Sequence, residues 1–235
     1  MASEQILKRG RVALSFDDEF VDRWYEAHNM LKKYNWRATF FVSKFRILSG
    51  EEIEMLKELE AYGHEIAAHT VRHLDANAFA NEHGIDAYME AEIDPMLSLM
   101  EKEGFFPTSF AYPYGRGNDN PELTNALLKR FKVVRSLDNQ SVPPSQHKCV
   151  NNDSNHVYGA GIDNHQSITM QEIKAIIDYA KQEGKTAIFY AHKPVKKVGT
   201  GNFIQIEYQR LIDICEYINA NDLEYTTITE CYIQS

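Results

Sequence analysis

Two hydrophobic rhythms alternate along this chain: short, nearly unbroken apolar runs, and longer stretches with an apolar stripe at helical spacing. Val12-Ala13-Leu14-Ser15-Phe16 reads as a buried strand, and residues 20–34 as a helix with Val21, Trp24, Tyr25, His28 and Leu31 on one stripe. Residues 38–42 give a second strand. Ser49-Gly50-Glu51-Glu52 is an S-x-x-E pattern, in which hydroxyl and carboxylate each cap the other's backbone N–H, so a helix starts there. It runs through Ile53, Leu56 and Leu59 and stops at Gly63. A third strand, 65–68, ends at His69. Residues 85–102 read as a long helix closed by Gly104, and Pro95 inside it predicts a kink or a break, because proline has no N–H to donate.

Residues 109–111 form a short fourth strand. Asn120 as cap and Pro121 in the first turn open a helix to Arg130, and 131–135 is the fifth strand. From 136 to 166 the periodicity dissolves into Asn, Pro, His and Ser, which predicts a functional loop or irregular strands. Thr169-Met170-Gln171-Glu172 caps another helix, 186–190 is the sixth strand, 206–218 a helix and 224–228 the seventh strand. Strand and helix alternate throughout, which predicts an α/β fold with parallel strands inside and helices outside. The 235 residues, with no internal repeat or low-complexity linker, are expected to form a single domain over 1–235.

Placed on these elements, Asp17, Asp18, His69, Tyr112, Pro113, Arg135 and His192 each fall at or just beyond the C-terminal end of a predicted strand. In a closed parallel barrel those ends converge on one face, the face that carries barrel active sites. One aspartate with His69 and His73 makes a set of three ligands for a divalent cation, with a position left open for water; the other aspartate is free for proton transfer. Four-residue spacing on one helical turn would bring the two rings within about 6 Å. His192 follows an apolar strand, and an imidazole with an ordinary pKa of roughly 6.5 can protonate a leaving group. Tyr112-Pro113-Tyr114-Gly115 is a rigid turn able to aim a backbone N–H at a developing oxyanion. Each of these has a plainer alternative: a turn or cap for the acidic pair, solvated rings for the histidines, an ordinary Pro-Gly turn. The remaining histidines, 28, 64, 83, 147, 156 and 165, read as core or loop residues, and Trp24 and Trp36 as core before sugar-stacking surface.

Charge narrows the partners. A formal net charge of −9 argues against nucleic acid, which needs a basic face, and makes an anionic polymer a poor substrate on overall balance. Cys149, Cys215 and Cys231 cannot all pair and lack C-x-x-C spacing, so buried, idle thiols are expected. The first ten residues lack the apolar core of a signal peptide, and no run approaches the ~18 apolar residues of a membrane span. Localisation and oligomeric state are left open.

Taken together, the motifs resemble those of the polysaccharide deacetylases of the NodB-homology type, carbohydrate esterase family 4. Ser15-Phe16-Asp17-Asp18 is similar to the family's T-F-D-D, His69-Thr70-Val71-Arg72-His73 to its H-[ST]-x-x-H, Ala111-Tyr112-Pro113-Tyr114-Gly115 to its R-x-P-Y-G, and the strand ending at His192 to its L-x-H. The matches run in order from residue 12 to 192. This resemblance implies a distorted (β/α)7 barrel of TIM type, a zinc-type divalent metal with Co2+, Mn2+ or Ni2+ as alternatives, and removal of acetyl groups from an acetylated poly- or oligosaccharide. It implies Asp17 as general base, Asp18, His69 and His73 as metal ligands, His192 as general acid, the Tyr114 backbone N–H as oxyanion donor, and Tyr112, Pro113 and Tyr190 as substrate contacts.

The chain departs from the family pattern at three places. The arginine that opens the third motif and orients the base is Ala111 here, and Arg135 is the candidate replacement. The Asp and Trp of the fourth motif have no clear counterpart, with Asp138 the candidate partner of His192. Tyr190 takes the leucine position of the acetyl-methyl pocket, and Glu19 the glycine after the two aspartates. The leading expectation is N-deacetylation of N-acetylglucosamine units; an O-acetyl esterase on a plant polysaccharide such as xylan, or a carbohydrate-binding homologue without turnover, are the alternatives.

Overall fold

The computed structural model describes residues 10–116, 120–138, 142–151, 153–165, 168–201 and 204–232. Its strands are β1 (Arg11–Asp18), β2 (Ala38–Val42), β3 (Glu65–Ala68), β4 (Ser109–Ala111), β5 (Val133–Leu137), β6 (Val150–Asn151), β7 (His156–Gly161), β8 (Thr186–Ala191), β9 (Lys193–Val195), β10 (Gln205–Glu207) and β11 (Glu224–Tyr225). Strands β1, β2, β3, β4, β5, β7 and β8 pair in parallel in that order, and β8 returns to β1 with Arg11 opposite Thr186 and Phe16 opposite Ala191. This ring is the (β/α)7 barrel.

One stave differs from the sequence expectation. Residues 224–228 contribute only the two-residue β11, which pairs with Arg11 and Val12 below the point where β2 joins β1 at Leu14. The missing stave is β7, inside the segment that shows no periodicity. Its sequence, His156-Val157-Tyr158-Gly159-Ala160-Gly161, carries two glycines and a polar first residue, so no apolar run announces it.

The helices are α1 (Val21–Leu31), α2 (Gly50–Ala61), α3 (Ala76–His83), α4 (Ile85–Tyr88), α5 (Asp94–Lys102), α6 (Pro121–Leu128), α7 (Met170–Gln182) and α8 (Tyr208–Ala220). Ser49 and Thr169 close capping boxes with Glu52 and Glu172, and Asn120 caps α6 through Leu123 N–H. The expected long helix over 85–102 is broken: a π-turn over Met89–Ile93 separates α4 from α5, and Pro95 sits in the first turn of α5, where its missing N–H costs nothing. Helix α3, which the sequence reading passed over, starts at Asp75, whose side chain accepts from Ala78 N–H.

Strand alternation sorts the side chains into two cores. Ala13, Phe41, Ala67, Ala111, Val133, Val157 and Ile188 point into the barrel, and Ile228 and Cys231 from the C-terminal segment join them there. Leu14, Phe16, Phe40, Trp24 and Trp36 fill the layer between strands and helices, which makes both tryptophans core residues. All three cysteines are buried and unpaired. No helix among the described residues is long and apolar enough to cross a membrane.

The N-terminal end of the barrel is tied by one carboxylate. Glu65 on β3 accepts from Thr39 Oγ1 (2.9 Å), Ser109 Oγ (2.6 Å), Thr229 N (3.0 Å) and Thr229 Oγ1 (2.5 Å), joining β2, β3, β4 and the C-terminal segment. Glu65→Gln replaces one acceptor oxygen by a donor and leaves two of the four donors unmatched. It should lower unfolding stability by about 2 kcal/mol, measured by urea denaturation.

Candidate active site

The C-terminal face of the barrel collects the residues that the sequence marks as chemical. Asp17 and Asp18 close β1, His69 follows β3, Arg135 lies in β5, and His192 follows β8. Asp18 Oδ1 lies 3.1 Å from His73 Nε2 and 3.7 Å from His69 Nε2, and the three donor atoms lie within 4.8 Å of one another. His69 Nδ1 lies 2.8 Å from the Ala111 carbonyl oxygen, to which it donates. That bond fixes the tautomer and leaves the Nε2 lone pair for the shared site. Burial, with His73 nearby, outweighs the two aspartates and holds the His69 pKa down at about 4, so the ring is neutral near pH 7. Burial raises Asp18, but the His73 bond and the charges of His69, His192 and His73 more than reverse this, leaving it at about 2. One carboxylate and two imidazole nitrogens are a donor set that suits zinc and its neighbours in the first transition row.

The two histidines do not meet on a helical turn, as their spacing suggested. Residues 69–75 form an irregular turn in which Thr70 and His73 have φ of 69° and 62°, and the ring centroids come within 4.9 Å. The turn is held from outside. Glu92, fully buried in the π-turn, accepts from Arg72 N (2.9 Å) and from Arg72 Nε, while its own carbonyl accepts from Val71 N. Thr70 Oγ1 accepts from His73 N–H at 2.9 Å. Neither Glu92 nor this coupling was read from the sequence. The only sequence signal was the Pro95 break nearby.

Arg135 is completely buried inside the barrel and donates from Nη2 to Asp17 Oδ2. Its guanidinium lies against the rings of Phe41 (5.2 Å) and Tyr190 (5.0 Å). Gly159 makes the space, since a Cβ there would stand 3.2 Å from Arg135 Cδ and 3.3 Å from Tyr190 Cδ1. Ala111 and Arg135 are register partners on adjacent strands. The guanidinium missing from position 111 is thus supplied at the same height from the next stave. Asp17 Oδ1 has no hydrogen-bond partner among the described residues.

His192 has a different partner from the one expected. Its Nδ1 is 2.6 Å from Asp163 Oδ2, and its backbone N–H donates to Asp163 Oδ1 at 3.1 Å. Burial pulls this imidazole down, but the Asp163 bond and charge, with Asp17 and Asp18 behind, carry it up to about 9. Asp138 is engaged elsewhere, accepting from His147 Nδ1 and Cys149 N, both at 2.9 Å. It lies one residue beyond β5, which ends at Leu137. Asp138, His147 and Cys149 form a second close donor cluster, in which burial and the Asp138 carboxylate push the Cys149 thiol well up. Asp163 was missed because it lies just beyond β7, the stave that the sequence concealed.

Tyr114 has φ 58° and its exposed ring packs 4.7 Å from that of His73. Tyr112, Gly115 and Arg116 donate their N–H groups to backbone carbonyls, whereas the Tyr114 N–H has no backbone acceptor among the described residues. Gly115 is needed for this turn: its φ is 63°, and a Cβ would fall 1.8 Å from Leu137 Cγ. Tyr112 corrects an expectation. Its side chain is buried in the outer core with its hydroxyl 2.9 Å from Thr124 Oγ1, so it is not available to a substrate. Pro113 is buried beneath the turn, and Tyr190 is the aromatic that reaches the site, with its ring 5.7 Å from that of His192.

Fold and donor set define a (β/α)7 barrel with an Asp-His-His metal-type site on its C-terminal face. The polysaccharide deacetylase profile matches residues 5–130, more than half of the chain. The chain belongs to the polysaccharide deacetylase family. A putative polysaccharide deacetylase of Bacillus subtilis is 29% identical over 111 residues, 46% of this chain and 38% of that protein. A chitin deacetylase of Arthroderma benhamiae is 25% identical over 194 residues, 78% of this chain and 52% of that protein. The chain thus spans about half or less of the length of these relatives. Among solved structures, the catalytic domain of a peptidoglycan N-acetylglucosamine deacetylase from Eubacterium rectale superposes with a TM-score of 0.61 at 17% identity, covering 100% of this chain and 96% of that one. A family 4 acetyl xylan esterase from Clostridium thermocellum gives 0.52 at 20% identity, covering 94% and 89%.

The Glu92 clamp makes a separable prediction. Glu92→Ala should weaken zinc affinity by about 10- to 100-fold, measured by chelator competition, through loss of the His73 turn geometry.

Proposed function

We propose that this protein is a metal-dependent hydrolase that removes N-acetyl groups from N-acetylglucosamine units of a glycan. The observation that carries the reading is the separation of two titratable groups around one donor set: Asp17 paired with Arg135, and His192 held protonated by Asp163. A carboxylate oriented by a guanidinium and an imidazole kept protonated by a second carboxylate, both facing one donor set, are the arrangement of a base and an acid. A protein that only bound carbohydrate would need neither.

Asp18, His69 and His73 would hold a divalent cation, which would supply Lewis-acid polarisation and a lower pKa for water. Arg135 fixes Asp17 through Oδ2, so Oδ1 is the atom that accepts the proton of the attacking water. The Tyr114 N–H is the donor for the developing oxyanion. His192, held by Asp163 through Nδ1, donates its Nε2 proton to the departing nitrogen as the C–N bond breaks. Acetate and a free amine result, and no acyl-enzyme is required. An ester oxygen can leave by the same route, which is why the assay below counts amines.

Zinc-loaded protein incubated with N-acetylated chitooligosaccharides should release acetate and primary amine in equal amounts, whereas O-acetylated xylan should be the poorer substrate. Acetate without amine would replace the N-deacetylase by the esterase. Asp17→Asn should lower acetate release by about 100-fold or more while zinc stays stoichiometric. Unchanged release would remove Asp17 as the base.

The pH profile carries the sign of the His192 shift. Its pKa is raised to about 9, so the acid form persists through neutral pH and kcat/KM should fall as pH rises through about 9. In Asp163→Asn the bond and charge that raise the pKa are lost, and the basic limb should move to lower pH.

A further inference from the structure

Beyond the end of β5 the chain enters a segment that folds inward on polar donors. Among the described residues 142–150, only His147 and Cys149 are buried, while Pro143, Ser145, Gln146 and Lys148 face solvent. Both meet Asp138, whose Oδ2 accepts from His147 Nδ1 and from Cys149 N. The Asp138 and His147 side chains are 2% and 4% exposed, and Cys149 is fully buried. One oxygen, one nitrogen and one sulfur from the three lie within 4.8 Å of one another, as do the donors of the Asp18-His69-His73 set, with which this cluster shares no residue.

Hydrogen bonds alone make such a cluster a weak anchor. Buried polar partners contribute little net stability compared with apolar side chains of similar size, because each gives up water to reach the others. A cation bound by the same atoms changes that balance. Thiolate, imidazole and carboxylate are the ligand types that zinc takes from proteins, at roughly 2.0–2.3 Å, which sets donors about 3.3–3.8 Å apart in a tetrahedron. The cluster meets that spacing once the 2.9 Å contact between Asp138 and His147 opens by about half an ångström. His147 and Cys149 come from one short run, and Asp138 from the end of a barrel strand.

The place of the cluster in the fold gives the cation a purpose. Strand β7 pairs with β8 at just two positions, Ala160 with Phe189 and Gly161 with Tyr190. Lower down, β6 pairs with β8 instead, with Val150 opposite Ala187 and Asn151 opposite Thr186. Cys149 O accepts from Ile188 N at 2.9 Å. The three donors therefore join the end of β5, the stave of Arg135, to the segment that fills the seam beside β8, the stave that leads to His192.

We propose that Asp138, His147 and Cys149 form a second, structural zinc site, completed by water, which staples the segment 142–151 into the barrel seam. On binding, Cys149 ligates as the thiolate and its proton leaves to solvent, while His147 ligates through Nδ1 and carries its ring proton on Nε2.

Cobalt is the probe, because thiolate ligation gives a near-ultraviolet sulfur-to-metal charge-transfer band and the Asp18-His69-His73 set contains no sulfur. In equilibrium dialysis the metal-free full chain should take up two cobalt ions and develop the band. Asp18→Ala should lose one ion and keep the band. Cys149→Ser should lose the other ion together with the band, and His147→Ala should lose the same ion. Excess zinc should raise the thermal midpoint of Asp18→Ala by about 5 °C and leave unchanged that of the double variant with Cys149→Ser.

A native chain that binds one ion without the band overturns the site. So does a band that survives Cys149→Ser, since the thiolate is then Cys215 or Cys231. Zinc that binds Asp18→Ala without raising its midpoint overturns the staple. Should Cys149→Ser fail to fold, Asp18→Ala decides alone, because its remaining cobalt either shows the band or does not. None of these readouts needs turnover, so the site stands or falls apart from the deacetylase reading.

Discussion

A full positive charge in the middle of a barrel sets the terms for everything around it. Arg135 is wholly buried, and taking its guanidinium out of water costs several kcal/mol unless charge and packing compensate. Asp17 supplies the charge, and the faces of Phe41 and Tyr190 supply the packing. Gly159 is the necessary gap in the neighbouring stave, β7. Buried pairs of this kind contribute little net stability against an apolar core, but they hold geometry strictly, because losing either partner strands a charge. Here the geometry held is that of a buried carboxylate whose second oxygen has no partner among the described residues.

Around this pair the backbone departs from its preferred regions where donors must converge. Asp18, Thr70, His73 and Tyr114 all have positive φ, each at a cost of about 1–2 kcal/mol for a residue with a Cβ. Such conformations persist because the surroundings over-determine them. Glu92 anchors the 70–73 turn from a π-turn, Ala111 O orients His69, and Gly115 lets the 112–116 turn lie against Leu137. The π-turn in the α4–α5 region is therefore part of the site's support.

Electrostatics then divides the rim. Asp163 keeps His192 protonated, and burial keeps His69 neutral. Each assignment depends on which group lies within a few ångströms, so the overall charge of −9 says little about the local field.

What the sequence by itself determined are the features written in short-range physics. Apolar runs and caps at Ser49, Asn120 and Thr169 marked six of the seven staves and most helices, and the order of Asp17-Asp18, His69, His73 and His192 on strand ends marked the site. Tertiary structure decided the rest. Stave β7 is concealed because its inner face must carry glycine to admit Arg135, so the requirement that erases its apolar pattern comes from another strand. The partner of His192 followed the same fate, since Asp163 lies just beyond that stave and Asp138, just beyond β5, is bound to His147 and the Cys149 N–H instead. The exchange of arginine between positions 111 and 135 is intelligible only through the β4–β5 register. Local patterns report what a residue does to its own segment; which charge faces which is set by strand pairing between segments far apart in the chain.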